Sequence, residues 1–263
     1  MIAQYTFENG TVSLSAGTIV DSSGNGNNAT AIGAPVYNSG VPANPIPQTG
    51  DPNLVSLGFG PGFGTGASDG ITFNYAFPFE TDSNATLEFY IDPSSTASEQ
   101  DLFWTTTGGG DTNRFNIGIG GGGGVFMDYR SADGSLNSIA GTTGGVITAG
   151  QWNFVAIVKS GNDYSIYVND LAPVTGTGSL PLPTSLAWTF NGRDVYNGTA
   201  CCQFSGLLDN IRLSDQALTT GQFLEDSSAV PEPGSFVLSG LSMILFGWLA
   251  FMRQTIGRSS TRR

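Results

Sequence analysis

Along roughly the first 225 residues, short runs of alternating apolar and polar residues recur between clusters of Gly, Asn, Ser and Pro. A period of two places successive side chains on opposite faces, as in a β-strand, and the intervening clusters supply turns. The clear runs are Thr86–Ile91, Arg114–Ile119, Val125–Arg130, Trp152–Lys159, Tyr164–Val168 and Gly206–Leu213. In the fourth, Trp152, Phe154, Ala156 and Val158 share one face while Val155 and Ile157 share the other. Both faces are apolar, so this strand is expected at the centre of a sheet covered on both sides. Gly161-Asn162-Asp163 predicts a hairpin turn into the fifth run. Gly118–Gly124 predicts a hairpin loop, with a flexible glycine run at Gly120–Gly124: it lacks the Lys-Ser/Thr ending and following helix of a phosphate-binding loop. Val41–Asp51 reads as a proline-rich loop, and the one helix expected in this region is Ser214–Leu224, with Ser214 as N-cap.

The last stretch has a different pattern. Phe236–Met252 is apolar and uncharged, and as a helix it would extend about 26 Å, the short end of what crosses a bilayer. Arg253 opens a basic end that contains no acid, which places that end in the cytoplasm and the preceding domain outside. A helix packed on the globular domain would carry a polar face, whereas here the polar residues are only Ser239, Ser242 and glycines. The expected organisation is an all-β domain over residues 1–225, a linker over 226–234, and a transmembrane helix with its basic end over 235–263.

Composition narrows the chemistry. Only 11% of residues are charged, 38 are glycine, and there is no histidine. The last point excludes Ser-His and Cys-His nucleophile arrangements and His-ligated zinc. Up to Val230 there are five basic residues (Arg114, Arg130, Lys159, Arg193, Arg212) against twenty acidic ones. So few cations cannot neutralise many phosphates, and no nucleic-acid partner is expected. Cys201 and Cys202 are adjacent. They read as two small buried hydrophobes or as a vicinal disulfide, and packing is preferred because adjacent Cα atoms lie closer than the usual bridged spacing.

Two resemblances enter here. Val230-Pro231-Glu232-Pro233, followed by the short apolar span and the Arg-rich end, resembles the PEP-CTERM sorting signal. The resemblance implies recognition by an exosortase, cleavage near the motif, and a Gram-negative bacterium that makes exopolysaccharide. It also implies a cleavable leader. Met1–Phe7 has neither a basic nor an apolar leader segment, so the leader is expected upstream of Met1, through a late start or a truncation.

Within the domain, Tyr5-Thr6-Phe7-Glu8 and Asp21–Ala29 are similar to the opening strand and loop of LamG-like (concanavalin A-like) jelly rolls. Gln151–Ala156 with Tyr164–Asp170 resembles their Trp-containing hairpin, departing from it at Leu171, where that family usually has Gly. Phe204–Arg212 with Ala217-Leu218 resembles their closing strand and short helix. The implied fold is an antiparallel two-sheet jelly-roll sandwich, all-β, with the C-terminal transmembrane helix added.

No carboxylate pair suited to glycoside hydrolysis stands out. Glu88 and Asp92 lie about 13 Å apart along one strand, and Asp133 reads as a turn carboxylate. No catalytic residue is therefore assigned. The resemblance implies a structural Ca2+ held by Glu8, Asp21, Asn25 and Asp209, and an acid- and amide-rich loop without histidine would select calcium over zinc. The alternative is that Asp21–Asn28 is a self-contained Asx-turn loop. Jelly rolls also bind sugars through aromatic and polar side chains. Trp188, Arg193 and Tyr196 are the preferred ligand-binding candidates, with Trp104 and Tyr129 behind them. The expected function is an exported, non-catalytic cell-surface or matrix module that binds polysaccharide. The alternatives are a glycan-active hydrolase or lyase with an unrecognised carboxylate site, and a purely structural matrix protein.

Overall fold

A computed structural model describes residues 1–43, 46, 49–60, 69–106, 112–178, 187–191 and 202–225. In chain order the strands are β1 (Ala3–Tyr5), β2 (Thr18–Ile19), β3 (Ala29–Ile32), β4 (Val36–Asn38), β5 (Ser56–Phe59), β6 (Gly70–Phe73), β7 (Asn84–Pro93) and β8 (Gln100–Thr106). They continue with β9 (Arg114–Gly120), β10 (Gly124–Arg130), β11 (Leu136–Gly141), β12 (Asn153–Ser160), β13 (Asp163–Val168), β14 (Val174–Thr177), β15 (Ala187–Phe190) and β16 (Gly206–Ser214). Sheet I runs β14-β13-β12-β7-β16-β5-β4, with β1 pairing β16 beyond the end of β5. Sheet II runs β11-β10-β9-β8-β15-β6-β3-β2. The ladders are antiparallel, as the turn-rich sequence predicts.

The two sheets face each other across one core. Sheet I contributes Leu57, Phe59, Leu87, Phe89, Val155, Ile157 and Ile211; sheet II contributes Phe73, Phe103, Phe115, Ile117, Val125 and Met127. All are buried, and at roughly 1.5–3 kcal/mol for each large apolar side chain this burial dominates folding. The expected double coverage of β12 is observed. Val155 and Ile157 enter the main core, while Phe154, Ala156 and Val158 form a second cluster with Tyr90 on the opposite face. The expected turn at Gly161 is present, with φ +62°. The glycine hairpin between β9 and β10 is also present, with Gly122 and Gly123 at φ +93° and +81°, a region only glycine enters without strain.

The expected helix at Ser214–Leu224 does not form. β16 runs on to Ser214, and the following segment makes only a 3-10 turn, Thr220–Gln222, closed by a Thr219–Gln222 capping box. Tertiary contacts override the helical signal. Phe223 and Leu224 seal the second cluster against Tyr90 and Phe154, with Leu218 packed beside them. The segment is also pinned by a buried ion pair. Arg212 Nε donates to Glu88 Oε2 at 2.5 Å and its Nη2 donates to the Gln222 carbonyl, while Glu88 Oε1 accepts from the Leu224 N–H at 2.7 Å.

The chain divides into units Met1–Ser227 and Ser228–Arg263. Among the described residues no helix is long and apolar enough to cross a membrane; the predicted span at Phe236–Met252 lies outside them.

Candidate functional site

Alternation along β9 sends Phe115, Ile117 and Ile119 into the core and turns Arg114, Asn116 and Gly118 outward. On β10, Val125 and Met127 go in, while Phe126, Asp128 and Arg130 go out. Tyr129 sides with the core and Trp104 stands outside it. Cross-strand register then aligns the outward residues into one row: Thr18, Thr30, Thr72, Thr189, Trp104, Asn116, Asp128 and Ser138. At the usual strand spacing the row is about 33 Å long. Its end residues are exposed, whereas Trp104 and Asn116 at its middle are each only 1% exposed.

The middle of the row is polar and short of hydrogen bonds. Asn116 donates its amide to Asp101 Oδ1 at 2.6 Å. Its own Oδ1 has no hydrogen-bond partner, and neither do Asp128 Oδ1 and Thr189 Oγ1. Orphaned buried acceptors are rare because each costs the desolvation of the group, so a cluster of them points to a missing partner. Burial pushes the Asp128 carboxyl up to about 6; the Arg114 guanidinium opposes this and the charges of Asp101 and Glu99 add to it. Arg114 lies 3.6 Å from Asp128 and its guanidinium sits 4.1 Å from the Trp104 ring centre. Arg130 donates to the Gly134 carbonyl. Next to the row, a side chain at Gly118 would meet the Phe126 ring at 2.5 Å, so the glycine lets that ring lie across β9.

A second group of orphaned acceptors lies in sheet I. β16 pairs with β5 through Leu208 and with β1 from Ile211 onward, which leaves Asp209 and Asn210 unpaired on that side. The β7 ladder shifts register at the same point, and Asn210 takes φ +46°. Asp209 is wholly buried. Its Oδ2 accepts from Asn53 Nδ2 at 2.8 Å and its Oδ1 from the Asn210 N–H at 2.7 Å. Burial raises its pKa well above the ordinary value; these two hydrogen bonds oppose the rise and the charge of Glu8 adds to it. Asn53 Oδ1 and Asn210 Oδ1 are both buried without a partner. Oxygen donors of this kind are the chemistry of a hard cation such as Ca2+.

The expected calcium set Glu8, Asp21, Asn25 and Asp209 therefore divides. The charge of Glu8 is felt at Asp209, and its Oε1 accepts from the Leu54 and Val55 N–H groups. Asp21 organises its own loop. Its carboxylate accepts from the N–H groups of Gln4, Ser23 and Asn27, and although burial opposes ionisation, these bonds hold its pKa below the ordinary value. Asn25 is exposed and donates to the Met1 and Ile2 carbonyls. Sequence reasoning missed Asn53, which sits in an aperiodic stretch, and Asn210, whose role depends on a ladder gap that no periodicity reveals.

Trp188 is corrected as well. It is 0% exposed, stacks on Phe73 with ring centres 3.8 Å apart, and donates its indole N–H to the Tyr75 carbonyl. Its strand, β15, is central in sheet II, and Trp188 occupies the inward register of that strand. It offers no face to a ligand. Arg193, Tyr196 and the sorting motif Val230, Pro231, Glu232 and Pro233 lie outside the described residues. Cys202 is half-buried and disulfide-bonded, contrary to the preferred packing reading. Ligand atoms of Glu99, Asp101 and Cys202 fall within 4.8 Å of one another, but a disulfide sulfur is no thiolate ligand. Lys159 donates to the Phe79 and Asp82 carbonyls.

Two antiparallel sheets over one aromatic core, one of them turning a polar row outward, define a jelly-roll sandwich of the lectin type. The chain belongs to the laminin G-like family described as the concanavalin A-like lectin/glucanases superfamily, whose model matches residues 65–222. Among solved structures it is similar to domain 4 of AbnA, a GH43 extracellular arabinanase from Geobacillus stearothermophilus, in complex with arabinotriose. The identity is 17% and the TM-score 0.58, over 86% of this chain and 97% of that one. It is also similar to the botulinum neurotoxin serotype D binding domain, at 16% identity and TM-score 0.52, over 83% of this chain and 49% of that one. At these identities the likeness is one of fold. No curated protein sequence matches the chain.

Proposed function

We propose that this protein is an exported, non-catalytic glycan-binding module whose ligand lies on the outer face of sheet II. One observation carries the reading: acceptors on Asn116, Asp128 and Thr189, in the outward row of sheet II, have no hydrogen-bond partner. Sugar hydroxyls would supply the missing donors. The similar arabinanase domain, described in complex with arabinotriose, supports a carbohydrate as the ligand class. A structural Ca2+ bound by Glu8, Asn53, Asp209 and Asn210 would tie β16 to the chain's N-terminal region. The sequence of the tail supports sorting by an exosortase, with transient anchoring through residues 235–263 and a final place at the cell surface or in the matrix.

A second reading has an observation of its own. Asp101 and Asp128 both flank Asn116, and Asp128 is pushed up to about 6, the range of a carboxyl that can act as a general acid. The full-length chain is expected to be retained on an immobilised polysaccharide and to release no reducing ends from it. Release of reducing ends that Asp128→Asn abolishes would replace binding with glycoside hydrolysis. Retention on no polysaccharide tested would refute both readings.

A further inference from the structure

A cavity opens on the outer face of sheet I, between the end of β13 and the segment that follows β16. We infer that this cavity binds an organic cation, a primary ammonium or guanidinium head on an aliphatic stem. None of its residues belongs to sheet II, so the site is independent of the proposed glycan-binding face.

Two fixed segments build it. β13 ends at Val168, and Asn169 turns the chain at φ +48°. The Asn169 N–H donates to the Phe154 carbonyl and its Oδ1 accepts from the Phe154 N–H, which ties the turn to β12. The Leu171 N–H closes the turn on the Val168 carbonyl at 3.1 Å. On the other side, Phe223 meets the Tyr167 ring edge-on at 5.0 Å, and the Leu224 N–H is held by Glu88. Between the two segments remains a cavity of about 400 Å³. That lies within the range of small-molecule sites, about 300–1,000 Å³.

The walls divide by chemistry. Tyr167, Phe223, Leu171 and Pro173 supply apolar surface, and Leu171 is 51% exposed, so part of that surface is open to a ligand. Asp170 and Glu225 supply negative charge, and among the described lining residues there is no Lys or Arg to balance it. Arg212, which reaches this segment through the Gln222 carbonyl, is already paired with Glu88. Burial first, and then the charge of Asp170, push the Glu225 carboxyl up to about 7. A positive charge entering the cavity relieves both effects. An anion would add repulsion, and an uncharged molecule would leave the half-buried Glu225 without a counter-charge. A bare metal ion would use the carboxylates and leave the apolar walls idle. An aliphatic cation uses both: its head pairs with the carboxylates and its stem lies on Leu171 and Pro173, beside the Tyr167 ring.

Titration calorimetry of the full-length chain at pH 8 and pH 5.5 tests this with cadaverine, agmatine, a lysine residue capped at both ends, and pentanediol as the uncharged control. Cadaverine or agmatine should bind at pH 8, and pentanediol should not. Capped lysine binding as well as cadaverine would identify the source as a protein side chain, and a preference for cadaverine would identify a free amine; both uphold the inference. Glu225→Gln should weaken binding about tenfold at pH 8, the loss of one charged hydrogen-bond partner. A protonated Glu225 is equally neutral, so the wild type should lose nearly the same factor between pH 8 and pH 5.5, while Glu225→Gln should change little over that range. Asp170→Asn removes the like charge and should move the loss of binding to lower pH. Both substitutions are at residues open to solvent, and melting curves verify that the variants fold. Equal binding of pentanediol, unchanged binding in both variants, displacement of the amine by Ca2+, or no binding of any cation would overturn the inference and leave the glycan-binding reading untouched.

Discussion

Replacing Asp209 with Asn tests the proposed cation site, because the substitution keeps the side-chain shape and removes the charge. In the metal-free protein the buried Asp209 carboxyl sits well above its ordinary value of 3.8. Its contribution to stability is therefore full below that value and is lost as pH rises through the folded-state pKa. A bound Ca2+ requires the ionised carboxylate, so the calcium increment should grow with pH as the metal-free protein weakens. At a hundredfold excess over Kd the ion adds about 2.7 kcal/mol. For a domain of this size that amounts to roughly 5–10 °C in Tm. Asp209→Asn should raise the metal-free Tm at pH 8, since it removes a desolvated charge and brings a donor to a cluster short of them. It should also abolish the response to calcium. The assay is thermal melting of wild type and variant with calcium or with chelator, at pH 5.5 and pH 8. Identical wild-type melts with calcium and with chelator at pH 8, or a calcium increment that survives in Asp209→Asn, would refute the reasoning.

Arg212→Met leaves Glu88 buried without its cation and should cost about 3–5 kcal/mol in urea denaturation, whereas Glu88→Leu combined with Arg212→Met should recover most of that loss; a single variant as stable as wild type would show that the pair does not hold the C-terminal segment down. For the tail, mass spectrometry of the mature protein from a native producer should find cleavage near Pro231–Gly234, and a chain intact to Arg263 would remove the sorting assignment.

Local pattern determined much of this protein by itself. The alternation in Trp152–Lys159 assigned each side chain to its face and implied coverage on both sides, because a period of two leaves no other arrangement that buries both rows. Glycines at 120–124 and 161 marked the hairpins, since positive φ is cheap only there. Position along the chain, however, says nothing about which outward residue of one strand lies opposite which residue of another. Thr72, Trp104, Asn116, Asp128 and Thr189 come from five strands, and only the cross-strand register sets them in one row. Trp188 failed for the same reason: a Trp beside polar residues reads as exposed until the sheet shows which way its strand faces. At Asp209 the deciding feature is a gap in the ladder where β5 gives way to β1. That gap leaves a buried carboxylate held by Asn53, and a contact between residues so far apart in sequence exists only once the strands have paired.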